Sequence, residues 1–552
     1  MIAWWLAAAL AQEEAVIDAL QGELGRSVAE LSLPGSPSIY HLRYKVWVVD
    51  RMDLVATRGA TLLEDRRPFR GLGVEVRVGD PSYDNTGFGG WEDGMAYSGL
   101  PADLDPLVAR RVAWRVTDRA FKDAVEQYSR KQAQAVLPPD HPGDYQLTGP
   151  VVADDGAAGV GDRDALRRLV LDLSAIPTPG LELSEVHAWH VGGSWWVLDS
   201  EGTRVRTPLE ETFVRAIGRV VLPDGAQVTD ERLWVARGVE DLPSRDALEA
   251  GVRAMVDELT SVAAAPALDD EYVGPVVLAD AAAADLFRYL LLPQLEGTPP
   301  EQPFDTWLGD IGGGASGSVR LGRRALPPGW TVVDDPMLDA GHPGAARHDG
   351  EGTPTRPVRL VEDGIVRDLA MSRTPRRGLG GTNGHAQADL YRRSIGKTSL
   401  TVVEPRRALS EARLLREGLK LAAAYGRDWV MVVRRLEEPS ATHWDAPDAD
   451  DPPPLPSPVL AFRHYADGRE EPVRGLTFGG VQRWALRDIA AAGPSVTRDW
   501  LGDYDDDVAS LDPVGGVAMR LVAPSVLVGE MELVPVPGDP SEVPVLSLPE
   551  GR

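Results

Sequence analysis

Nine histidines and no cysteine limit the chemistry open to this chain. Thiolate nucleophiles, thiolate metal ligands and disulfides are excluded, so a metal site would have to rest on imidazole and carboxylate. His342 and His348 flank Pro343-Gly344 beside Asp349 and Glu351, and His385 lies further on. Loops can gather such groups around one ion, and loop histidines beside acids are also commonly just solvated; both readings stand. His187 and His190 lie in an apparent strand, where their odd separation sends the side chains to opposite faces, so the pair does not share an ion. The run Gly309-Asp310-Ile311-Gly312-Gly313-Gly314 lacks the Lys-Ser/Thr of a phosphate loop and has no helix signal after it, so it reads as a turn. Ser316 and Ser318 have no nucleophile elbow around them. Asp503-Tyr504-Asp505-Asp506-Asp507 lacks EF-hand spacing and the closing glutamate, and reads as a solvated loop.

The elements that must position these residues alternate between helix and strand. Val16, Leu20, Leu24, Val28 and Leu31 recur at helical steps, and Asp105-Pro106 opens a second helix with Leu107, Val108, Val112, Val116 and Ala120 on its apolar face. Tyr40, Leu42, Tyr44, Val46 and Val48, and then Val74, Val76 and Val78, alternate with polar neighbours as half-buried strands do. A hairpin is expected over Val186–Arg206 and a helix over Asp246–Val262. Gly274-Pro275-Val276-Val277-Leu278 reads as a buried strand running into an apolar helix from about Ala281 to Leu292. Further on, Val459–Tyr465 and Pro472–Phe478 flank the turn signal Asp467-Gly468, and a helix is expected from about Gly480 to Ala492, stopped by Gly493-Pro494. Ser440–Pro458, rich in proline and aspartate, reads as a surface insertion.

The chain has 552 residues, which by length suggests roughly three or four domains. The pattern divides it into a leader-like stretch at 1–12, an α+β domain over 13–138 ending near Pro138-Pro139, a middle strand and helix region over 139–265, and a strand-rich region over 266–552. The net charge of −27 argues against nucleic acid, whose binding draws on basic residues that displace phosphate counterions. Lysine occurs only at Lys45, Lys122, Lys131, Lys397 and Lys420, and the arginines are scattered and form no stripe. Met1–Ala11 is a short apolar run like the core of a secretory signal, but no Lys or Arg precedes it, so cytoplasmic and exported locations both stay open. No run approaches the roughly 20 apolar residues of a membrane span.

One ordered set of segments resembles a known family. The strand at Gly274, the helix ending at Leu295-Glu296-Gly297, the stretch Val332-Val333-Asp334-Asp335-Pro336, Asp349-Gly350-Glu351-Gly352, Val361-Glu362-Asp363-Gly364, Gly381-Thr382-Asn383-Gly384, Asp467-Gly468-Arg469 and Val522-Ala523-Pro524-Ser525 follow one another as in the C-terminal domain of the TldD/TldE (PmbA, modulator of DNA gyrase) family of zinc metallopeptidase relatives. Ser200-Glu201-Gly202-Thr203 is similar to a hairpin of that family's N-terminal half. The resemblance implies an α+β fold of the TldD/TldE type, with a strand-rich, antiparallel, barrel-like C-terminal domain over 266–552.

It also implies what is missing. Active members carry His-Glu-x-x-x-His on the helix before Leu-Glu-Gly, and a later cysteine completes their zinc site. Here those positions read Arg288, Tyr289 and Pro293, and there is no cysteine. A guanidinium is permanently cationic with no lone pair to give, and a phenol is a poor base near neutrality. The resemblance therefore points to a chain without metal or cofactor: a catalytically silent subunit pairing with an active TldD-type paralogue or with itself, and offering a cleft for unfolded peptide. Arg288, Glu296, Asp349, Glu351 and His385 would border that cleft. Arg288 would either hold a peptide carboxylate or carbonyl there or close an internal ion pair with Asp285 or Glu296. The alternatives are a metallopeptidase built on His342, His348, His385 and nearby acids, and a non-enzymatic exported protein.

Overall fold

The computed structural model describes residues 2–546 except 90–93, 136, 138, 160, 300–320, 388–389, 439–454, 481–482, 502–517, 540, 542 and 544–545. The Gly309–Gly314 run, Ser316, Ser318, the Asp503–Asp507 run and most of the Ser440–Pro458 insertion lie outside the described residues.

Helix α1 (Ile2–Glu30) runs unbroken through the leader-like stretch and buries Val16, Ile17, Leu20 and Leu24. Helix α2 (Pro106–Gln134) starts as its sequence dictates: the Asp105 carboxylate accepts the Val108 N–H and proline takes the first turn. Two shorter helices, α3 (Arg163–Ser174) and α4 (Arg245–Ala264), complete the N-terminal layer. Among the described residues no helix is long and apolar enough to cross a membrane.

Strands β1 (Ile39–Thr57), β2 (Ala60–Asp80), β3 (Tyr83–Asp84), β4 (Met95–Gly99), β5 (Val152–Asp154), β6 (Leu183–Asp199), β7 (Arg204–Val221) and β8 (Gln227–Ala236) form one sheet. Its order is β3-β2-β1-β6-β7-β5, with β4 on β2 and β8 on β7. The pairing of β1 with β6, Trp47 opposite Trp195, joins the 13–138 and 139–265 stretches in a single sheet. The even-numbered face of β1, with Leu42, Tyr44, Val46 and Val48, packs under α1 and α2; further along, Met52, Leu54, Val186, Ala188, Val214 and Ala216 pack under α3 and α4.

The odd face was expected to be wet, and it is not. His41, Arg43 and Lys45 on β1 and Glu75 and Arg77 on β2 are almost fully buried, because the C-terminal half lies against them. An alternating pattern marks an apolar face correctly, but it cannot report that a second body covers the polar one.

The C-terminal half is built from β9 (Tyr272–Leu278), β10 (Thr331–Asp334), β11 (Val358–Glu362), β12 (Ile365–Val366), β13 (Ala386–Gln387), β14 (Ile395–Gly396), β15 (Leu400–Glu404), β16 (Trp429–Leu436), β17 (Pro458–Tyr465), β18 (Glu470–Val473), β19 (Leu476–Gly479), β20 (Ile489–Leu501) and β21 (Ala518–Pro535). Eleven of these form a sheet running β12-β11-β10-β15-β21-β9-β16-β17-β18, with β19 and β20 on β21. It corrects the barrel-like, antiparallel expectation in two ways. The sheet is open, and it is mixed, with β15 parallel to β21 and β16 parallel to β9. The fold is α+β, as expected. Helix α5 (Asp280–Leu290) packs in the larger core on one side of the sheet, and α6 (Glu411–Ala424) covers Val277, Val430, Val432 and Leu527 on the other.

Two local expectations fail nearby. The helix expected over 480–492 is a short 3-10 turn at Arg483–Arg487 followed by β20, because Ile489, Ala491 and Ala492 pair with β21 and sheet partnership outweighs alanine's helical preference. The strand expected over 472–478 is split at Gly475, whose φ of +63° turns β18 away from β19.

Candidate functional site

Helix α5 is apolar and small-residue rich, and it is buried on every side, including Asp285 and Arg288. Its α-helical hydrogen bonding stops at Leu290, and Pro293 lies in the 3-10 turn Leu292–Leu295 that follows. The proline, which has no N–H to continue the ladder, makes the helix end sooner than the expected Leu292.

Arg288 projects into the core and makes a bidentate pair with Glu438, at 2.7 and 3.1 Å. Asp285 is further away at 3.8 Å. Arg498 closes the cluster from β20, 3.1 Å from Glu438 and 3.5 Å from Asp285. The Arg288 guanidinium also lies over the rings of Tyr289, at 4.8 Å, and Trp500, at 5.2 Å. Of the two ion-pair partners expected for Arg288, Asp285 is present as the weaker one; Glu296 is not a partner. Burial alone would raise the Glu438 carboxyl, but Arg288 and Arg498 outweigh it and hold the group at about 2. Asp285 is pushed up by burial, and the two guanidinium groups only partly oppose this. Glu438 is thus the ionised partner of both arginines.

Glu296 is half-buried; burial raises its carboxyl and the charge of Lys397 works against this. Asp349 accepts the backbone N–H groups of Glu351, Thr353 and Ala386, pinning two loops together; burial and the neighbouring Glu351 raise it to about 7. Glu351 reaches across to the N-terminal sheet, 3.1 Å from Arg43, and accepts the Arg373 N–H at 2.7 Å.

The three loop histidines do not converge. His342 faces Asp499 at 3.5 Å, His348 faces Asp155 at 2.8 Å, and His385 faces Asp334 at 3.1 Å. Burial disfavours charge on His385, but Asp334 outweighs it and raises the imidazole pKa. Of the strand pair, His187 is half-exposed beside Glu185 while His190 is buried against Thr212, as opposite faces require. Among the described residues only His41, Asp199 and Glu201 bring three ligand atoms close enough for one ion. That trio suits a cation poorly. Arg373 already pairs with both carboxylates, so a metal ion would have to settle beside its fixed positive charge.

Residues 271–422 match the sequence profile of the PmbA/TldA metallopeptidase C-terminal domain. That segment is similar to the C-terminal domain of the TldD/TldE (PmbA) family, and the whole chain shares its fold with solved structures. TldE from Thermococcus kodakarensis shares 14% identity at a TM-score of 0.57, over 93% of this chain and 100% of that one. A candidate modulator of DNA gyrase from Thermotoga maritima matches at 14% and 0.56, covering 90% and 96%. Another from Bacteroides thetaiotaomicron matches at 11% and 0.56, covering 95% and 99%. At these identities the likeness is one of fold. No curated protein matches the chain.

The zinc of active TldD/TldE members is not fitted by the residues at the corresponding place here. The α5 cluster contains no imidazole, both carboxylates are engaged by arginine, and a divalent cation would have to settle beside two fixed positive charges. Sequence reading singled out Arg288 but missed Glu438, Arg498 and Trp500. These come from strands and loops far along the chain, and no local pattern marks them.

Proposed function

We propose that this chain is a catalytically silent, TldE-like member of its family that partners a metal-bearing TldD-type paralogue and lends it a peptide-binding surface. The reading rests above all on one observation: at the helix where active relatives hold zinc, Arg288 is locked between Glu438, Tyr289 and Trp500. A guanidinium so clamped is a permanent structural cation. It neither binds metal nor activates water.

The test is affinity capture of the tagged full chain from its native cell, combined with elemental analysis. The expected outcome is co-purification with a protein of similar size that carries His-Glu-x-x-x-His, no stoichiometric zinc in the isolated chain, and no cleavage of unstructured peptides by that chain alone. Chelator-sensitive peptidase activity of the isolated chain with about one equivalent of metal, or recovery only as a free or self-associated chain, would overturn it.

A further inference from the structure

Where the odd face of the N-terminal sheet meets the C-terminal half, a cavity of about 150 Å³ remains. Cavities near this size take ligands of about six carbon atoms. Its floor is aromatic. Trp47 lies directly across from Trp195, with ring centroids 5.3 Å apart at 54°, and Trp189 stands on the same face of β6. From β7, Glu211 enters the same cavity, in register with Val191 between the two β6 tryptophans. The far wall is the 343–350 and 384–387 loops, which contribute Asp349 and His385.

Glu211 is only 6% exposed and has no arginine, lysine or histidine within ion-pair distance among the described residues. The Ala518 backbone N–H and the charge of Arg237, whose guanidinium donates to the His342 and Ala345 carbonyls, act against burial there. Burial pushes the carboxyl up to about 8, as expected of an acid lacking a counter-cation. The cavity therefore combines a buried carboxyl, which a bound cation would hold ionised, with electron-rich indole faces, and both favour an organic cation. A bare metal ion fits worse, because no three of Glu211, Asp349, His348 and His385 bring ligand atoms together around one point.

We infer that this cavity binds an alkyl guanidinium or alkyl ammonium group, with its charge against Glu211 and its stem among Trp47, Trp189 and Trp195. The site is distinct from the α5 cluster and does not depend on whether the chain is catalytically silent. Lys397 also lines the cavity and opposes the ligand's charge.

The test is calorimetric titration of the full chain with n-butylguanidinium and with n-butylurea, its neutral isostere, together with indole fluorescence. Saturable binding of the guanidinium at least about tenfold tighter than the urea is expected, with a change in fluorescence. Glu211→Gln, which keeps the shape of the uncharged acid, should weaken it at least about tenfold while leaving the melting curve at neutral pH cooperative, and Lys397→Gln should tighten it. If Glu211→Gln fails to fold, Trp195→Leu supplies the second variant and should weaken the guanidinium severalfold. No saturable binding, equal binding of the two probes, or undiminished affinity in the variants would overturn the inference.

Discussion

Arg288 is a buried cation held by a fixed set of neighbours. Its charge is matched by Glu438 and shared with Arg498, all in a buried setting where breaking a pair costs more than the pair is worth. Arg288→Ala should lower the unfolding free energy by roughly 3–5 kcal/mol in urea titrations, and Arg288→Met combined with Glu438→Met should recover only part of that loss, because Arg498 is then left with Asp285. Equal stability of the single variant and the parent would show that the clamp carries no load. Two carboxyls also set opposite limbs of the pH profile. Glu438, held at about 2, lies below its ordinary 4.5, so its contribution is full above about pH 4.5 and is lost as pH falls through about 2. Glu211, at about 8, lies above 4.5, so its contribution is full below about pH 4.5 and is lost as pH rises through about 8. Melting curves across this range should show a flatter acid limb for Glu438→Gln and a flatter alkaline limb for Glu211→Gln.

At the scale of elements, what decides placement is how closely backbones approach. A Cβ at Gly73 on β2 would lie 2.1 Å from the Leu390 carbonyl oxygen, and that neighbour is backbone with little freedom to retreat. Gly73→Ala should therefore cost roughly 1–3 kcal/mol by overpacking. Gly25 on α1 provides the contrast, with nothing within 4 Å of its would-be Cβ. Gly25→Ala should be neutral or stabilise by up to about 1 kcal/mol, since alanine loses less backbone entropy on helix formation. Chemical denaturation of the two variants side by side separates the effects of space and conformational freedom.

Across the whole molecule, the two halves are joined through buried charge. Arg43 of the N-terminal sheet holds Glu75 from its own sheet and Glu351 from the C-terminal half, while Arg373 returns the contact by pairing with Asp199 and Glu201. Tyr145 sits among these arginines, 3.9 Å from Arg77 and 4.6 Å from Arg373. Glu351→Ala removes the C-terminal carboxylate from Arg43, leaving it Glu75 and the Tyr145 hydroxyl, and should loosen the seam. Calorimetry should then resolve two transitions in place of one broad cooperative event, and the loss should barely change between about 0.05 M and 0.5 M salt, because buried pairs are weakly screened. A single unshifted transition would count against the coupling.

Local chemistry was legible in the chain itself. The Asp105-Pro106 start of α2, the apolar stripes of α1 and α4, the Gly274–Leu278 strand leading into α5 and the turn at Asp467-Gly468 all follow from capping, periodicity and glycine's tolerance of positive φ, which depend on neighbours in sequence. Arg288, Tyr289 and Pro293 could likewise be read directly from the chain, as residues that offer a metal ion no imidazole or carboxylate. Tertiary structure decided what those residues meet: Glu438 in place of Glu296, separate acids for His342, His348 and His385, a strand at Ile489–Leu501 where alanines favour helix, and an N-terminal sheet buried on both faces. Propensity acts within a few residues, whereas burial and charge pairing act through space, so a partner 150 positions away along the chain leaves no local trace in the sequence.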